Sequence, residues 1–336
     1  MKRILIIGII LIGLSGRLVA GEYADAFLEL GVSARASAMA NAIGALDFSE
    51  TAFITNPAGI SYIRKARLGL MYTSQFGLAD HNYIGLAVPA GAHYSLALSW
   101  IRYGVDDIPI RPDIFTTITD KAERRDSIIS IYNGKLPTFN DVENAVFVSL
   151  GRFNSTIVDL GWRYSKFKLE FPIGINLKFI HKKYYELEGF GLGVDIGGRL
   201  RVDGEELLDV SNLGMLSVGM ALKDVTGTTI YWNTKSQDRI RLTPALSFAL
   251  EQPIKPLKLI INLVSEKQYR YHDKTNYGVE IIYANSLALR AGLKNSGISL
   301  GLGLNFKVMK RLINLDYSFY SHDLGASHRV GLGIVI

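Results

Sequence analysis

Large aliphatic residues recur at every second position through one stretch of this chain after another, and that pattern decides what it can fold into. In 298–307 one face reads Ile298, Leu300, Leu302, Leu304, Phe306 and the other Ser299, Gly301, Gly303, Asn305, Lys307. The same alternation sets Ile173, Ile175, Leu177 and Phe179 against Gly174, Asn176 and Lys178, and Phe190, Leu192, Val194 and Ile196 against Gly191, Gly193, Asp195 and Gly197. Leu216, Val218, Met220 and Leu222 alternate with Ser217, Gly219, Ala221 and Lys223; Ile313, Leu315, Tyr317 and Phe319 alternate with Asn314, Asp316 and Ser318. A period of two belongs to strands with two unlike faces. A soluble sandwich also has such faces, but three features turn the reading to a membrane barrel. Most segments extend to about 8–12 residues, the length of a tilted bilayer crossing. The small-residue face carries Lys178, Asp195, Lys223, Lys258, Glu280, Arg290 and Asp316, charges that a hydrated lumen permits. The other face is aliphatic, as lipid contact favours, and only a closed barrel then pairs every backbone group without an edge.

Fourteen strands are expected, near 67–74, 83–88, 94–103, 145–150, 171–182, 190–200, 216–223, 242–251, 257–264, 277–283, 287–294, 298–307, 312–320 and 329–335. An even number returns both ends of the wall to one side, the periplasmic one. Residues 155–165 fit a helix, a turn or an extra strand, and an extra strand would break the parity. The expected fold is all-β: a 14-stranded antiparallel transmembrane β-barrel over 66–336, with a small N-terminal plug of residues 21–65 inside its lumen.

Residues 1–20 read as a Sec-type export signal. Lys2 and Arg3 give a basic start, 4–14 an apolar core too short to stay in a bilayer, and Leu18-Val19-Ala20 a small-residue end. Cleavage after Ala20 would send the chain toward the outer membrane of a Gram-negative type cell, with membrane lipid as its first partner. Removing Lys2, Arg3 and Arg17 takes the formal charge from +6 to +3, so the basic balance implies no nucleic-acid partner. There is no cysteine, which excludes disulfides and thiolate chemistry.

Residues 31–59, GVSARASAMANAIGALDFSETAFITNPAG, match neither the signal nor the strands. Small side chains suit a segment packed inside something else. Ser33 is placed to cap an Ala-rich helix and Ser49 a shorter one, and Asn56-Pro57 stops the run. Arg35 is the one charged residue between Glu29 and Asp47. Buried in a lumen it needs a carboxylate, with Asp195, Glu280 and Asp316 as candidates.

With the first strand running outward, the longest outer connection is 104–144. It carries Asp106, Asp107, Arg111, Asp113 and the run 120–126, where Asp120 and Glu123 resemble a capping box ahead of a surface helix. Two inner connections, 151–170 and 201–214, are also long.

No enzyme chemistry emerges. His81, His93, His181, His272, His322 and His328 are scattered as loop or rim residues without metal spacing, so neither metal nor cofactor is expected. Gly189-Phe-Gly191-Leu-Gly193 has strand where a phosphate loop needs a helix, and its glycines read as small inward positions beside the plug. The pairs Asp106-Asp107 and Glu205-Glu206 fall in loops without a matched acid and base. Tyr72, Tyr94, Trp100, Trp162, Tyr184, Tyr185, Trp232 and Tyr283 suit interfacial belts.

Gly31-Val-Ser-Ala-Arg35-Ala-Ser-Ala-Met39, Asp47 and Asn56-Pro57-Ala58-Gly59 resemble the N-terminal signature of the PorV/PorQ outer-membrane proteins, whose fold is similar to the FadL barrels. Gly174-Ile-Asn-Leu-Lys178, Gly191-Leu-Gly-Val-Asp195, Leu289-Arg290-Ala-Gly292, Gly301-Leu-Gly303, Leu315-Asp316-Tyr317, Leu324-Gly325 and His328-Arg329 extend the resemblance through the mature chain. Ala40 stands where that pattern has glycine, and the chain ends in Ile336 where outer-membrane barrels commonly end in an aromatic residue. The resemblance implies a plug motif of Arg35, Asn56, Pro57, Ala58 and Gly59. It also implies a non-catalytic role in type IX secretion, binding the C-terminal domains of secreted cargo beside other secretion components. The alternative is a FadL-like channel for uptake of a hydrophobic ligand.

Overall fold

The computed structural model describes residues 24–110, 118–133, 135–161, 166–270, 273–294, 297–322 and 325–336. The expected export signal, Arg111, Asp113, Trp162, His272 and Leu324 lie outside the described residues. Period-two segments become long antiparallel strands: β1 (Arg67–Gln75), β2 (Ala79–Pro89), β3 (Tyr94–Pro109), β4 (Thr138–Arg152), β7 (Ile173–Tyr184), β8 (Leu187–Asp203) and β9 (Met215–Lys223). The wall continues through β12 (Thr243–Ile254), β13 (Leu259–Tyr269), β14 (Asp273–Tyr283), β15 (Leu287–Lys294), β16 (Gly297–Val308), β17 (Arg311–His322) and β18 (Gly325–Val335). Each pairs with the next, and β18 pairs with β1 from Arg67↔Val335 to Gln75↔Ser327, so the sheet closes as a 14-stranded barrel. The chain enters β1 and leaves β18 at one end, called here the near end.

Two side hairpins complete the sheet. β5 (Ser155–Asp159) and β6 (Lys166–Glu170) form one at the near end, while β4 pairs directly with β7 past it. Residues 155–159 are therefore a strand, yet not a fifteenth wall strand, and the parity holds. β10 (Thr229–Trp232) and β11 (Gln237–Arg239) form the other at the far end, where β10 takes over the edge of β8 once β9 has stopped at Leu222↔Ile196. One expected lumen charge is corrected: Lys258 lies in the exposed turn before β13, in a left-handed conformation, because the strand starts one residue later.

The aliphatic face points outward on strand after strand: Ile173, Leu192, Met220, Leu300 and Leu315 are all exposed. With the strands paired to one another around the whole ring, this is the form that spans a lipid bilayer. Tyr72, Tyr94, Trp100 and Tyr283 are exposed on the outer face of their strands, while Tyr184 and Tyr185 are exposed at the far end of β7. Trp232 is not among them; it packs against the buried cluster around Ile230, and its Nε1 donates to Asp238 Oδ2 at 2.8 Å.

Residues 24–63 fill the lumen. α1 (Ala26–Glu29) leads to α2 (Ala34–Ala38), which lies against β15–β18, and a 3-10 helix over Pro57–Tyr62 lies against β3, β4, β7 and β8 across the barrel. Ser33 Oγ accepts Ala36 N at 3.2 Å as the cap of α2. The helix ends early because Ala40 and Asn41 turn the chain at φ 56° and 58°. Glycine reaches that left-handed region without strain, which gives a physical reason for the glycine of the resembled pattern at position 40. Ser49 caps no helix; its N and Oγ donate to Asp47 Oδ1 at 3.0 and 2.7 Å, closing a tight turn.

Glycines on the lumen face let the plug lie directly against the wall. A Cβ on Gly174 would collide with Pro57 O, on Gly292 with Ala40 N, and on Gly151 with Ser61 N at 2.5 Å. Gly191 and Gly193 do a different job from the one expected of them. They make room for Ile230 and for Thr228 with Lys178, not for the plug.

Candidate functional site

Around β14–β17 the lumen is charged, and Glu280 is its hub. Arg35 Nε and Nη2 donate to its two carboxylate oxygens at 2.9 and 2.7 Å, and Arg290 Nε donates to Oε1 at 2.7 Å. Asn262 Nδ2 adds a bond of 2.8 Å, and Arg290 Nη1 reaches on to Asp316 Oδ1 at 2.6 Å. Glu280 and Arg290 are register partners on β14 and β15, so alternation alone aims both inward. Burial works against the Arg35 cation, but Glu280 outweighs it and keeps the guanidinium pKa above its ordinary value. Beside this network a cavity of about 250 Å³ is lined by Arg35, Glu50, Arg67, Asn305, Asn314 and Asp316, among others.

Of the three expected partners of Arg35, Glu280 binds it directly and Asp316 is joined through Arg290. Asp195 belongs to a separate cluster. There Lys178 Nζ sits between Asp195 Oδ1 at 2.8 Å and Asp224 Oδ1 at 2.7 Å. Asn176 ties that cluster to the plug, donating to Phe53 O at 2.8 Å and to Asp195 Oδ2 at 3.3 Å.

Asn56 both ends one turn and starts the next. Its backbone is extended before Pro57, its Oδ1 accepts Ala58 N at 3.0 Å, and its Nδ2 donates to Gly198 O of β8 at 3.0 Å. Pro57 is then the first residue of the 3-10 helix, where its missing N–H costs nothing. Ala58 is fully buried, and Gly59 passes so close to Asp47 O that a Cβ would collide with it. Losing a cap and a buried cross-link together is expected to cost Asn56→Ala about 1–3 kcal/mol, read from the denaturation midpoint of the barrel in detergent.

Two inward residues went unread in the sequence, and a third was misplaced. Arg199 donates to Gly44 O at 2.8 Å and Asp47 O at 3.0 Å, with its guanidinium 4.9 Å from the Phe48 ring. Glu266 accepts Gly44 N at 3.0 Å. Both hold main-chain atoms of the plug, and both stand at inward positions of their strands. His81, expected in a loop or rim, is fully buried on the lumen face of β2.

Across the lumen, an apolar cluster lines β3, β4, β7 and the β10–β11 hairpin beside the Lys178–Asp195–Asp224 group. Ile101, Ala145, Phe147, Ile180, Ile230 and Ile240 are buried there, and the plug supplies Phe27, Leu28 and Phe53 to the same cluster. The rings of Phe53 and Phe147 lie 4.9 Å apart. Lys182 borders this cluster as Lys178 does: its Nζ bonds Glu143 Oε1 at 2.5 Å and lies 5.5 Å from the Phe27 ring. The arm that carries Phe27 is tethered at the far mouth by charge. Arg270 binds Asp25 and Glu29, and Lys274 Nζ meets Glu29 Oε2 at 3.2 Å. Burial would raise the Glu29 pKa, but these two cations outweigh it and hold it below the usual value.

No family model matches the chain, and no curated protein matches it. Among solved structures it is similar to the TodX deltaS2S3 mutant monoaromatic hydrocarbon channel, at 12% identity and a TM-score of 0.49, over 91% of this chain and 98% of that one. It is similar to the Ralstonia pickettii toluene transporter TbuX at 11% identity and 0.49, over 90% and 97%. Against the KdgM porin the values are 8% and 0.33, over 80% and 99%. At such values these are similarities of barrel shape, and function is read from the lumen. None of them supports the PorV/PorQ resemblance.

Proposed function

We propose that the protein is an outer-membrane channel that passes small hydrophobic molecules, with residues 24–31 as its gate. The observation that carries this reading is the apolar sector of the lumen occupied by the chain's own Phe27 and Leu28. A pore for polar solutes has no use for such a surface, which water wets poorly. Burying each of these side chains stabilises by roughly 1.5–3 kcal/mol. The arm therefore leaves at a cost that a ligand of comparable apolar area offsets by taking its place. Of its tethers, the Lys274–Glu29 pair is exposed at the mouth, where water and salt weaken it, while the Arg270–Asp25 pair is buried and holds the arm more firmly.

The outer-membrane placement draws on the expected export signal and on the aliphatic outer belt. A secretion role would need cargo to be recognised on the outer connections, since residues 24–63 leave no room for a folded domain in the lumen. Of those connections, α3 (Lys121–Tyr132) is capped as expected, with Asp120 Oδ1 accepting Ala122 N and Glu123 N at 2.8 and 2.9 Å. No observation there favours cargo.

The test is permeability of proteoliposomes to an alkylbenzene and to a sugar of similar size. Passage of the alkylbenzene at several times the rate of protein-free liposomes, with the sugar excluded, is the expected result. Equal passage of both, or of neither, contradicts the proposal.

A further inference from the structure

We propose that the lumen face around Arg329 is a binding site for a small monovalent anion. Arg329 on β18 stands opposite Thr73 of β1 and Ser318 of β17, Thr73 stands opposite His81 of β2, and Ser327 is the next inward residue of β18. All five are more than nine-tenths buried. Arg329 Nη1 donates to two main-chain carbonyls of the plug, Leu30 O and Gly31 O. Its Nε, the hydroxyls of Thr73, Ser318 and Ser327, and both ring nitrogens of His81 have no partner among the described residues.

Two features of this group point to an anion. The first is charge. Lys178, Lys182 and Arg290, equally buried, each meet a carboxylate at 2.8 Å or less, and Arg199 lies against the ring faces of Phe48 and Tyr62 at 4.9 and 5.8 Å. Arg329 has neither kind of partner among the described residues. A guanidinium taken out of water without a counter-charge is costly, and two carbonyl dipoles compensate only part of that.

The second feature is the donor set. Hydroxyl, imidazole and guanidinium N–H groups face the lumen side by side on four neighbouring strands, and no carboxylate stands among them. Lumen-facing neighbours on adjacent strands lie about 5 Å apart, so a halide-sized ion at Arg329 bridges to Thr73 or Ser318 beside it, with His81 one strand further on. Ordered water would complete the hydrogen bonds but would leave the charge uncompensated.

The proposal concerns a different wall segment from the apolar sector and stands whether or not hydrophobic molecules pass. Crystals of the mature protein soaked in sodium bromide are expected to show an anomalous bromide peak within hydrogen-bond reach of Arg329 Nε. The unfolding temperature in detergent is expected to rise by about 2 °C or more in sodium chloride relative to sodium gluconate at equal ionic strength. Arg329→Met should abolish that difference. Water alone at the site, or a chloride effect that persists in Arg329→Met, overturns the proposal. If the variant does not fold, the bromide position in the unaltered protein decides.

Discussion

Replacing Glu280 with alanine is expected to destabilise the protein by about 3–5 kcal/mol, because it strands the buried Arg290 and the partly buried Arg35 rather than removing one interaction. Arg35 has no other carboxylate within ion-pair distance among the described residues, and Arg290 keeps only Asp316. The loss should appear as a lower heat-modification temperature on gels and as protease cleavage within residues 24–63. Arg35→Met should cost less, since Glu280 then retains Arg290 and Asn262. Equal stability of Glu280→Ala and the unaltered protein would mean that the network does not hold the plug.

Gly174→Val is expected to unseat the plug while leaving the wall closed. Valine suits a strand, and β7 pairs with β4 and β8 through its backbone, so the barrel itself has no reason to open. Inside, a Cβ would collide with Pro57 O, and neighbouring Gly197 already lies hard against Asn56 Oδ1. The atoms facing Gly174 are main chain of Pro57 and Ala58, with no flexible side chain to yield, so the 3-10 helix over Pro57–Tyr62 must move away. Single-channel conductance should rise several-fold over the near-closed unaltered barrel. Gly333→Ala is the control, because its Cβ would meet the Asn314 side chain at an ordinary 3.5 Å. Conductance unchanged in Gly174→Val would show that the plug tolerates displacement from this wall.

The wall was legible in the sequence because side-chain period two is imposed by strand geometry itself. Leu300 beside Gly301, or Ile175 beside Asn176, can be assigned to faces without knowing any partner. The charge on Arg35 announced a buried ion pair for a similar reason, as did the inward positions of Glu280 and Asp316. Pairing across the lumen was beyond it. Asp224 binds Lys178 from just past the last alternating residue of β9, where pattern has ended. The apolar sector was hidden because Trp100 and Ile101, Val146 and Phe147, and Phe179 and Ile180 are large on both faces. At those pairs nothing small marks the lumen side, so the apolar patch reads like lipid contact. Trp232 misled for the same reason, an aromatic residue near a strand end being equally at home in an interfacial belt.

The central claim, that the N-terminal arm gates passage of hydrophobic molecules, is tested most directly by reversing the charges that tether it. Proteoliposome uptake of a labelled alkylbenzene should be compared for the unaltered protein, for Arg270→Glu, and for the full swap Asp25→Arg with Glu29→Arg, Arg270→Glu and Lys274→Glu. Arg270→Glu faces Asp25 and Glu29 with a like charge and should raise uptake several-fold, and the swap should return it toward the unaltered rate. Identical rates in all three would contradict the gate, as would a swap no slower than the single reversal.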